Sequence, residues 1–235
     1  MQKTIYRNLL NRLEKSNYRN RSQNLCCFSA QKGSLYNNNL MVVGRAVNDW
    51  GNIFQLEDIQ SDSLLEELFP GSPGHDCPLE WVESSWGSSE GYNTKRSAFW
   101  RVANKISQSV NQLEDNELWA SKIVWSNLYK VAPSGGGNPN DSLCDLQFNA
   151  CNDLLKIEVE EFRPKYIVFL TGQDWFNGFL SENISLNSIT DTKWVDAQGI
   201  LELNGSVSKF VVAQHPQGKP ESELLKEIVN ALAKV

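Results

Sequence analysis

The segment CNDLLKIEVEEFRPKYIVFLTG, residues 151–172, joins a helical pattern to a buried strand and decides the fold class. Apolar residues recur at spacings of three and four, which predicts an amphipathic helix over 145–162. Pro164 ends this helix, because proline has no amide hydrogen and disfavours helix in the residue before it. The apolar run Tyr166–Leu170 that follows is typical of a buried strand. A helix that leads directly into a buried strand indicates an α/β protein.

Three more apolar runs share the character of Tyr166–Leu170, and helical patterns separate them. These runs are Leu40–Val43, Ile123–Trp125 and Phe210–Ala213. The alternation predicts a three-layer α/β/α fold with a central, mainly parallel four-stranded sheet. Asn204-Gly205 is a type I′ turn signal, so we expect Ile200–Leu203 to pair antiparallel with the strand at Phe210–Ala213.

The composition limits the partners of the protein. Its 235 residues are enough for one large domain or two small ones, and they are 40% hydrophobic with a formal net charge of −6. We expect a single globular domain over 1–235, and a monomer. An acidic chain argues against broad, nonspecific nucleic-acid binding, although it allows a small basic groove. Within this domain, we expect an N-terminal helical extension over 1–38 and a long irregular loop over 71–97.

The sequence also argues against a membrane partner and against a metal site. No apolar stretch is long enough to span a membrane, and the N-terminus lacks the continuous apolar region of a signal peptide, so we expect a cytoplasmic protein. The five cysteines form no Cys-x2-Cys pair, and the chain has only two histidines. We therefore expect no metal, no cofactor and reduced, mostly buried thiols.

Polar residues follow each predicted strand. Gly44 follows the first, Asn127 and the glycine-rich stretch 133–141 follow the second, Thr171 follows the third and His215 follows the fourth. Ligands of open parallel sheets bind outside the carboxyl ends of the strands, so these residues are expected to meet in one crevice.

Each of these features also has an ordinary structural explanation. Gly44 can be a tight exit from a strand, and Asn127 can cap a turn. Gly135–Gly137 can be a flexible loop, because no Gly-Lys-Ser/Thr follows as in a phosphate-binding loop. His215 can be a hydrogen-bonded interior histidine. The joint pattern, rather than any one residue, indicates a site.

The joint pattern resembles the uracil-DNA glycosylase superfamily in order and spacing, from about residue 40 to the C-terminus. VVGRAVNDWG, residues 42–51, is similar to the first motif of that family, a strand followed by G-x-x-P or G-Q-D-P-Y-H. NLYKVAPSGGGNPND, residues 127–141, is similar to N-V-V-K-x-x-P-P-x-N-R-x-P of the iron–sulfur branch. AQHPQG, residues 213–218, is similar to the terminal H-P-S motif. Residues 151–172 are similar to the helix, Pro-Lys and strand of the family.

The resemblance implies a DNA glycosylase, which flips a damaged base out of the stack and holds it in a pocket. It implies that Asn127 reads the base edge and that His215 donates a hydrogen bond to the departing base. Phe54 stands where the family keeps its stacking aromatic, and Trp50 is a rival. Base-binding residues by this resemblance are Gly44, Arg45 and Ala46, and DNA-contacting residues are Ser134, Gly135, Gly136, Gln217 and Gly218.

The chain departs from the family at positions that matter for catalysis. Ala46 stands where the classical branch has aspartate, so Asn48 or Asp49 is expected to activate water or stabilise the sugar cation. Val47 replaces the motif proline, and Gln217 replaces the serine of the H-P-S motif. The four cysteines of the iron–sulfur branch are not reproduced, which implies no cluster.

Two functional interpretations follow, with a weaker third. The first is a DNA glycosylase that hydrolyses the N-glycosidic bond of uracil or another deaminated base in base-excision DNA repair, and the retained Asn127 and His215 favour it. The second is a protein that binds a nucleobase, a nucleotide or a protein without cleavage, and Ala46 and the acidic charge favour it. The third is an unrelated flavodoxin-like hydrolase, in which Asn127, Phe54 and His215 do not converge.

Overall fold

The computed structural model describes residues 1–69, 77–114, 118–189 and 192–235. Its helices are α1 (Gln2–Glu14), α2 (Ser61–Leu68), α3 (Glu80–Ser84), α4 (Ala98–Asn111), α5 (Asp141–Phe162), α6 (Gln173–Phe176) and α7 (Glu221–Lys234). Its strands are β1 (Leu25–Cys27), β2 (Gln31–Lys32), β3 (Leu40–Gly44), β4 (Ile53–Phe54), β5 (Ile123–Asn127), β6 (Val131–Pro133), β7 (Tyr166–Leu170), β8 (Ile184–Leu186), β9 (Val195–Leu203) and β10 (Ser206–Ala213). Two 3₁₀ turns lie at Thr94–Arg96 and Ala120–Lys122.

The chain forms two compact units, each assembled from three segments. The first unit comprises the described residues of 1–29, 45–74 and 127–158, and the second those of 30–44, 75–126 and 159–235. The expectation of a single domain over 1–235 stays a prediction. Strands β1 and β2 lie within the expected helical extension, and helix α3 lies within the expected loop over 71–97, of which 71–76 fall outside the described residues.

The second unit contains a seven-stranded mixed sheet in the order β2-β5-β3-β7-β10-β9-β8. The four apolar runs predicted as strands are adjacent in it, and β7 is the middle strand. β7 pairs in parallel with both β3 and β10. β10 pairs antiparallel with β9 across Asn204 and Gly205, whose φ values are both positive, at 44° and 80°. The predicted hairpin is therefore confirmed.

The predicted fold class is wrong. A three-layer fold with a central, mainly parallel four-stranded sheet was expected, whereas the described residues form this seven-stranded mixed sheet and a separate three-stranded antiparallel sheet. The unpredicted strands are short or exposed: β2 has two residues, and Leu186 in β8 is 63% exposed. Such strands bury too little apolar side chain to leave an apolar run in the sequence.

Gly199 permits the close pairing of β8 with β9. It lies opposite Leu186, and a Cβ built on Gly199 would stand 2.0 Å from the carbonyl oxygen of Ser185. No side chain fits that gap, so glycine is required by the approach of the neighbouring backbone rather than by its own dihedral angles.

Helices α4 and α7 cover part of this sheet. They contact each other, α4 contacts β3, and α7 contacts β9 and β10. The Ser97 hydroxyl caps α4 by accepting from the amide of Trp100 at 3.5 Å. Beside α4, Trp100 lies 4.9 Å from Trp125, 5.6 Å from Trp81 and 6.2 Å from Trp119, measured between ring centroids. Four tryptophans thus form one aromatic cluster in this unit.

The first unit is built on the sheet β4-β1-β6, with β1 antiparallel to both neighbours. Helix α1 lays one face on the core of this unit, because its buried residues recur at helical spacing. The shared core residues of this unit are Tyr6, Leu9, Leu10, Leu13, Tyr18, Leu25, Cys27, Leu56, Ile59, Leu64, Leu65, Leu68, Val131, Leu143 and Leu154. α5 begins at Asp141, where Asn140 Oδ1 accepts from the amide of Leu143 at 2.9 Å.

Candidate functional site

Three parallel strands of the second unit end at one edge of the sheet. Val43 of β3 lies opposite Phe169 of β7, and Ala213 of β10 lies opposite Leu170. Because these strands run in parallel, Gly44 and the segment that begins at Gln214 leave the sheet at its same edge. The structure therefore brings two of the sequence-predicted positions, Gly44 and His215, to one side of the second unit.

His215 is held by the turn that it begins. The backbone amide of Gln217 donates to His215 Nδ1 at 3.2 Å, and the amide of Lys219 donates to the carbonyl of Pro216 at 3.0 Å. Gly218 closes the turn with a φ of 74°. A ring nitrogen that accepts a hydrogen bond carries no proton, so the neutral form of His215 carries its proton on Nε2. The half-buried His215 side chain is thereby set as a hydrogen-bond donor through Nε2.

A neighbouring segment that the sequence did not indicate supports this turn. The carbonyl of Trp194 accepts from the amide of Gln214 at 2.9 Å. Asp196 Oδ2 accepts from the amide of Gln173, just after β7, at 3.0 Å. Asp196 thus fixes the exit of β7 beside the His215 turn. A lone aspartate near the start of a strand leaves no distinctive pattern, which is why the sequence analysis missed it.

In the first unit, the part of the first motif that follows β3 contacts the glycine-rich loop. Asn48 Oδ1 accepts from the amide of Gly137 at 2.9 Å, and the hydroxyl of Ser134 donates to Asp49 Oδ1 at 3.2 Å. Gly135, Gly136 and Gly137 have φ values of 87°, 105° and 98°, which side chains rarely adopt. The structure therefore brings the two alternative catalytic residues, Asn48 and Asp49, to the loop of the expected DNA-contacting Ser134, Gly135 and Gly136.

The aromatic and backbone candidates of the first unit lie in less specific surroundings. Phe54 is half-buried and packs against the α1 core, as an ordinary core residue does. Trp50 lies edge-on to Phe28 at 5.3 Å between ring centroids, in the loop that also carries Asn48 and Asp49. The carbonyl of Arg45 accepts from the amide of Tyr129 at 2.9 Å, and Ala46 is half-buried. Their roles toward a base stay predictions.

Asn127 ends β5 and is 1% exposed. Its carbonyl accepts from Lys130 Nζ at 2.8 Å, and the same ammonium lies 2.7 Å and 2.9 Å from the two carboxylate oxygens of Glu158. The side chains of Lys130 and Glu158 are 0% exposed. Two opposite charges are thus enclosed in the first unit, directly beside the backbone of the predicted base reader.

The surroundings of this ion pair are also polar or ionisable. Burial raises the pKa of Cys151 to about 12, although the charge of Lys130 opposes the shift. Burial likewise raises the pKa of Cys27 well above its ordinary value. Tyr6 donates to the carbonyl of Phe28 at 2.7 Å, and its pKa is raised by burial first and then by the charge of Glu158. Both thiols and the phenol therefore stay protonated at neutral pH.

The sequence pattern of α5 indicates a buried partner for Glu158, which was not among the predicted site residues. Gln147, Cys151, Leu154 and Glu158 recur at spacings of four, three and four, so the two polar residues lie on the apolar stripe of α5. A polar side chain on such a stripe must find a partner inside the protein. In the structure, the partner of Glu158 is Lys130, within NLYKV.

The described residues contain neither a metal-ion site nor a membrane-spanning helix. No group of three or more His, Cys, Asp or Glu side chains in this part of the chain is arranged to hold a metal ion. Among the described helices, none is long and apolar enough to cross a membrane. Neither a scan against protein-family models nor a search of curated proteins finds a match for this chain.

Proposed function

We propose that this protein is a divergent member of the uracil-DNA glycosylase superfamily that removes uracil or another deaminated base from DNA. The observation that carries the proposal is the His215 turn, which follows a central strand and sets Nε2 as a donor through the Gln217 amide. A donor fixed in this way is suited to a base oxygen on which negative charge develops.

The reaction needs little covalent participation by the protein. The bond between C1′ of the sugar and the base nitrogen breaks, and its electron pair leaves with the base. The oxygen of a water molecule bonds to C1′, and a proton from that water ends on the base. Hydrogen bonding from His215 Nε2 stabilises the departing base, which makes it a better leaving group.

Asp49 is proposed to accept a proton from the attacking water, and this proton then passes through solvent to the departing base. It is the only carboxylate of the two alternative catalytic residues, because the Asn48 amide cannot take up a proton. The Ser134 hydroxyl orients Asp49 through Oδ1. Asn127 is proposed to read the base edge, and Trp50 or Phe54 to stack on it. The proposed DNA contacts are Ser134, Gly135, Gly136, Gln217 and Gly218.

A second function is binding of a nucleobase or nucleotide without cleavage. One observation favours it: Asn48 and Asp49 each use a side-chain oxygen to hold the glycine-rich loop, and Ala46 offers no replacement. A carboxylate that accepts such a hydrogen bond has a structural role, because it stabilises the loop. For either function we propose a cytoplasmic monomer, in keeping with its five free cysteines.

Mass spectrometry of released base separates the two functions. Excess protein is incubated with single- and double-stranded oligonucleotides that contain one uracil, hypoxanthine or xanthine. Glycosylase activity releases the free base and leaves an alkali-labile site, whereas pure binding retards the oligonucleotide without release. The His215→Ala protein, purified in the same way, controls for contaminating glycosylases, since a contaminant acts equally in both preparations.

A further inference from the structure

The enclosed Lys130–Glu158 pair makes a contact that charge neutralisation alone does not require. Lys130 Nζ lies 2.7 Å and 2.9 Å from the Glu158 oxygens, and it also donates to the carbonyl of Asn127 at 2.8 Å. Both side chains are 0% exposed, so neither charge is solvated by bulk water. One ammonium thus joins helix α5 to the last residue of β5.

Stability alone is a weak reason for such a pair. Two charges lose their hydration when they are buried, and apolar residues of similar volume often serve the fold equally well. Apolar side chains, however, cannot donate a directional hydrogen bond to a carbonyl oxygen. The feature specific to the ion pair is its directed hydrogen bond to Asn127.

Helix α5 also fixes the chain that follows Asn127. Gln147 Oε1 accepts from the amides of Lys130 and Val131 at 3.2 Å and 2.9 Å, and Gln147 Nε2 donates to the carbonyl of Val131 at 2.8 Å. The turn from β5 to β6 is therefore held at both its start and its end. Fixing the carbonyl of Asn127 restricts its ψ angle, and so the orientation of its side chain relative to the peptide plane that follows.

We propose that the Lys130–Glu158 pair is a positioning device for Asn127, and that discrimination between bases depends on it. This inference rests on the proposed function, in which Asn127 reads the base edge. Lys130 and Glu158 are positioning residues, since they act through the Asn127 backbone and touch no substrate.

The test replaces the pair by apolar residues and keeps a matched control. In Lys130→Met/Glu158→Leu the charges and the bond to Asn127 are lost together. Tyr6→Phe removes another buried hydrogen bond to a carbonyl of the same unit, that of Phe28, and keeps the groups of Lys130 and Asn127 that bond each other. The first measurement is the backbone amide ¹⁵N shift of Leu128, which responds to the hydrogen bond accepted by the preceding carbonyl. The second is the ratio of affinities for uracil-containing and cytosine-containing single-stranded oligonucleotides.

We expect the double variant to shift the Leu128 signal and to reduce the affinity ratio about tenfold or more, because small displacements of positioned groups have effects of this size or larger. Tyr6→Phe leaves both unchanged. An unchanged ratio in the folded double variant overturns the inference. If the wild type itself does not distinguish the two oligonucleotides, the proposed function of Asn127 fails instead, and an unmoved Leu128 signal then rejects the positioning device as well.

If the double variant does not fold, a measurement on the wild type tests the inference instead. An enclosed, hydrogen-bonded ammonium exchanges its protons slowly, so Lys130 is expected to give an observable Nζ–H signal with a nuclear Overhauser effect to the Asn127–Leu128 backbone. Rapid exchange of that ammonium with water rejects the inference.

Discussion

The single substitution Lys130→Met is expected to destabilise the protein far more than the double substitution of the pair. It leaves the Glu158 carboxylate, 0% exposed, without the cation at 2.7 Å and 2.9 Å. Breaking a buried pair on one side costs about 3–5 kcal/mol. That is a large part of the roughly 5–15 kcal/mol by which domains are stable. At about 2–4 °C per kcal/mol for a chain of this size, the melting temperature falls by about 6–20 °C.

Lys130→Met/Glu158→Leu is expected to recover most of this loss. No charge is then buried, and apolar replacement of an ion pair is often neutral or stabilising, so the remaining loss of unfolding free energy is mainly that of the hydrogen bond to the Asn127 carbonyl, about 1 kcal/mol. The destabilisation of the single variant is therefore mostly the cost of an unpaired charge.

Urea denaturation measures these free energies with two probes. The first probe, far-UV circular dichroism, reports helices of both units. The second probe, tryptophan fluorescence, reports the second unit through its clustered residues Trp81, Trp100, Trp119 and Trp125. Coincident transitions justify a two-state analysis, and separate ones assign the loss to the first unit. The reasoning is refuted if Lys130→Met costs less than about 1 kcal/mol, or if the double variant is as unstable as the single one.

Three further predictions use other parts of the structure. Gly199→Ala lowers the melting temperature and the protection of β8 amides from hydrogen exchange, because its Cβ meets a β8 carbonyl at 2.0 Å; unchanged protection contradicts this. Between about pH 9 and 12, the free energy of unfolding falls by up to about 1.4 kcal/mol per pH unit for each of Cys27 and Cys151, because their thiols ionise near pH 9.0 when unfolded but stay protonated when folded. The urea midpoint is therefore expected to be lower at pH 10 than at pH 8. Asp49→Asn slows single-turnover base release about a hundredfold or more, whereas the control Asp196→Asn has a smaller effect; equal rates for Asp49→Asn and wild type remove Asp49 as the base.

The central strands were predictable because they are buried on both faces. Leu40–Val43 and Tyr166–Leu170 read as continuous apolar runs, which is typical of interior parallel strands. Asn204-Gly205 likewise marked the hairpin, since few other pairs tolerate two positive φ angles. The sheet edges were not predictable by the same means, because two- and three-residue strands such as β2 and β8 are defined by backbone pairing rather than by side-chain pattern.

The candidate site was predictable only in part, for a related reason. His215 stood out because an apolar strand ended in it. The link of Asn48 and Asp49 to the glycine-rich loop joins residues more than 80 positions apart, and hydrogen bonds of that range leave no local spacing. The place of Glu158 on the apolar stripe of α5 predicts that it has a buried partner. Only the folded structure shows that this partner is Lys130.

Single-turnover release of base by three forms of the protein tests the central claim most directly. His215→Ala removes the Nε2 donor, whereas His215→Gln keeps a side-chain N–H that can partly replace it. The account predicts release of a deaminated base by the wild type, a loss of about 10²–10³-fold in His215→Ala and an intermediate rate in His215→Gln. Release at the same rate by wild type and His215→Ala, or no release by the wild type from any uracil, hypoxanthine or xanthine oligonucleotide, contradicts it.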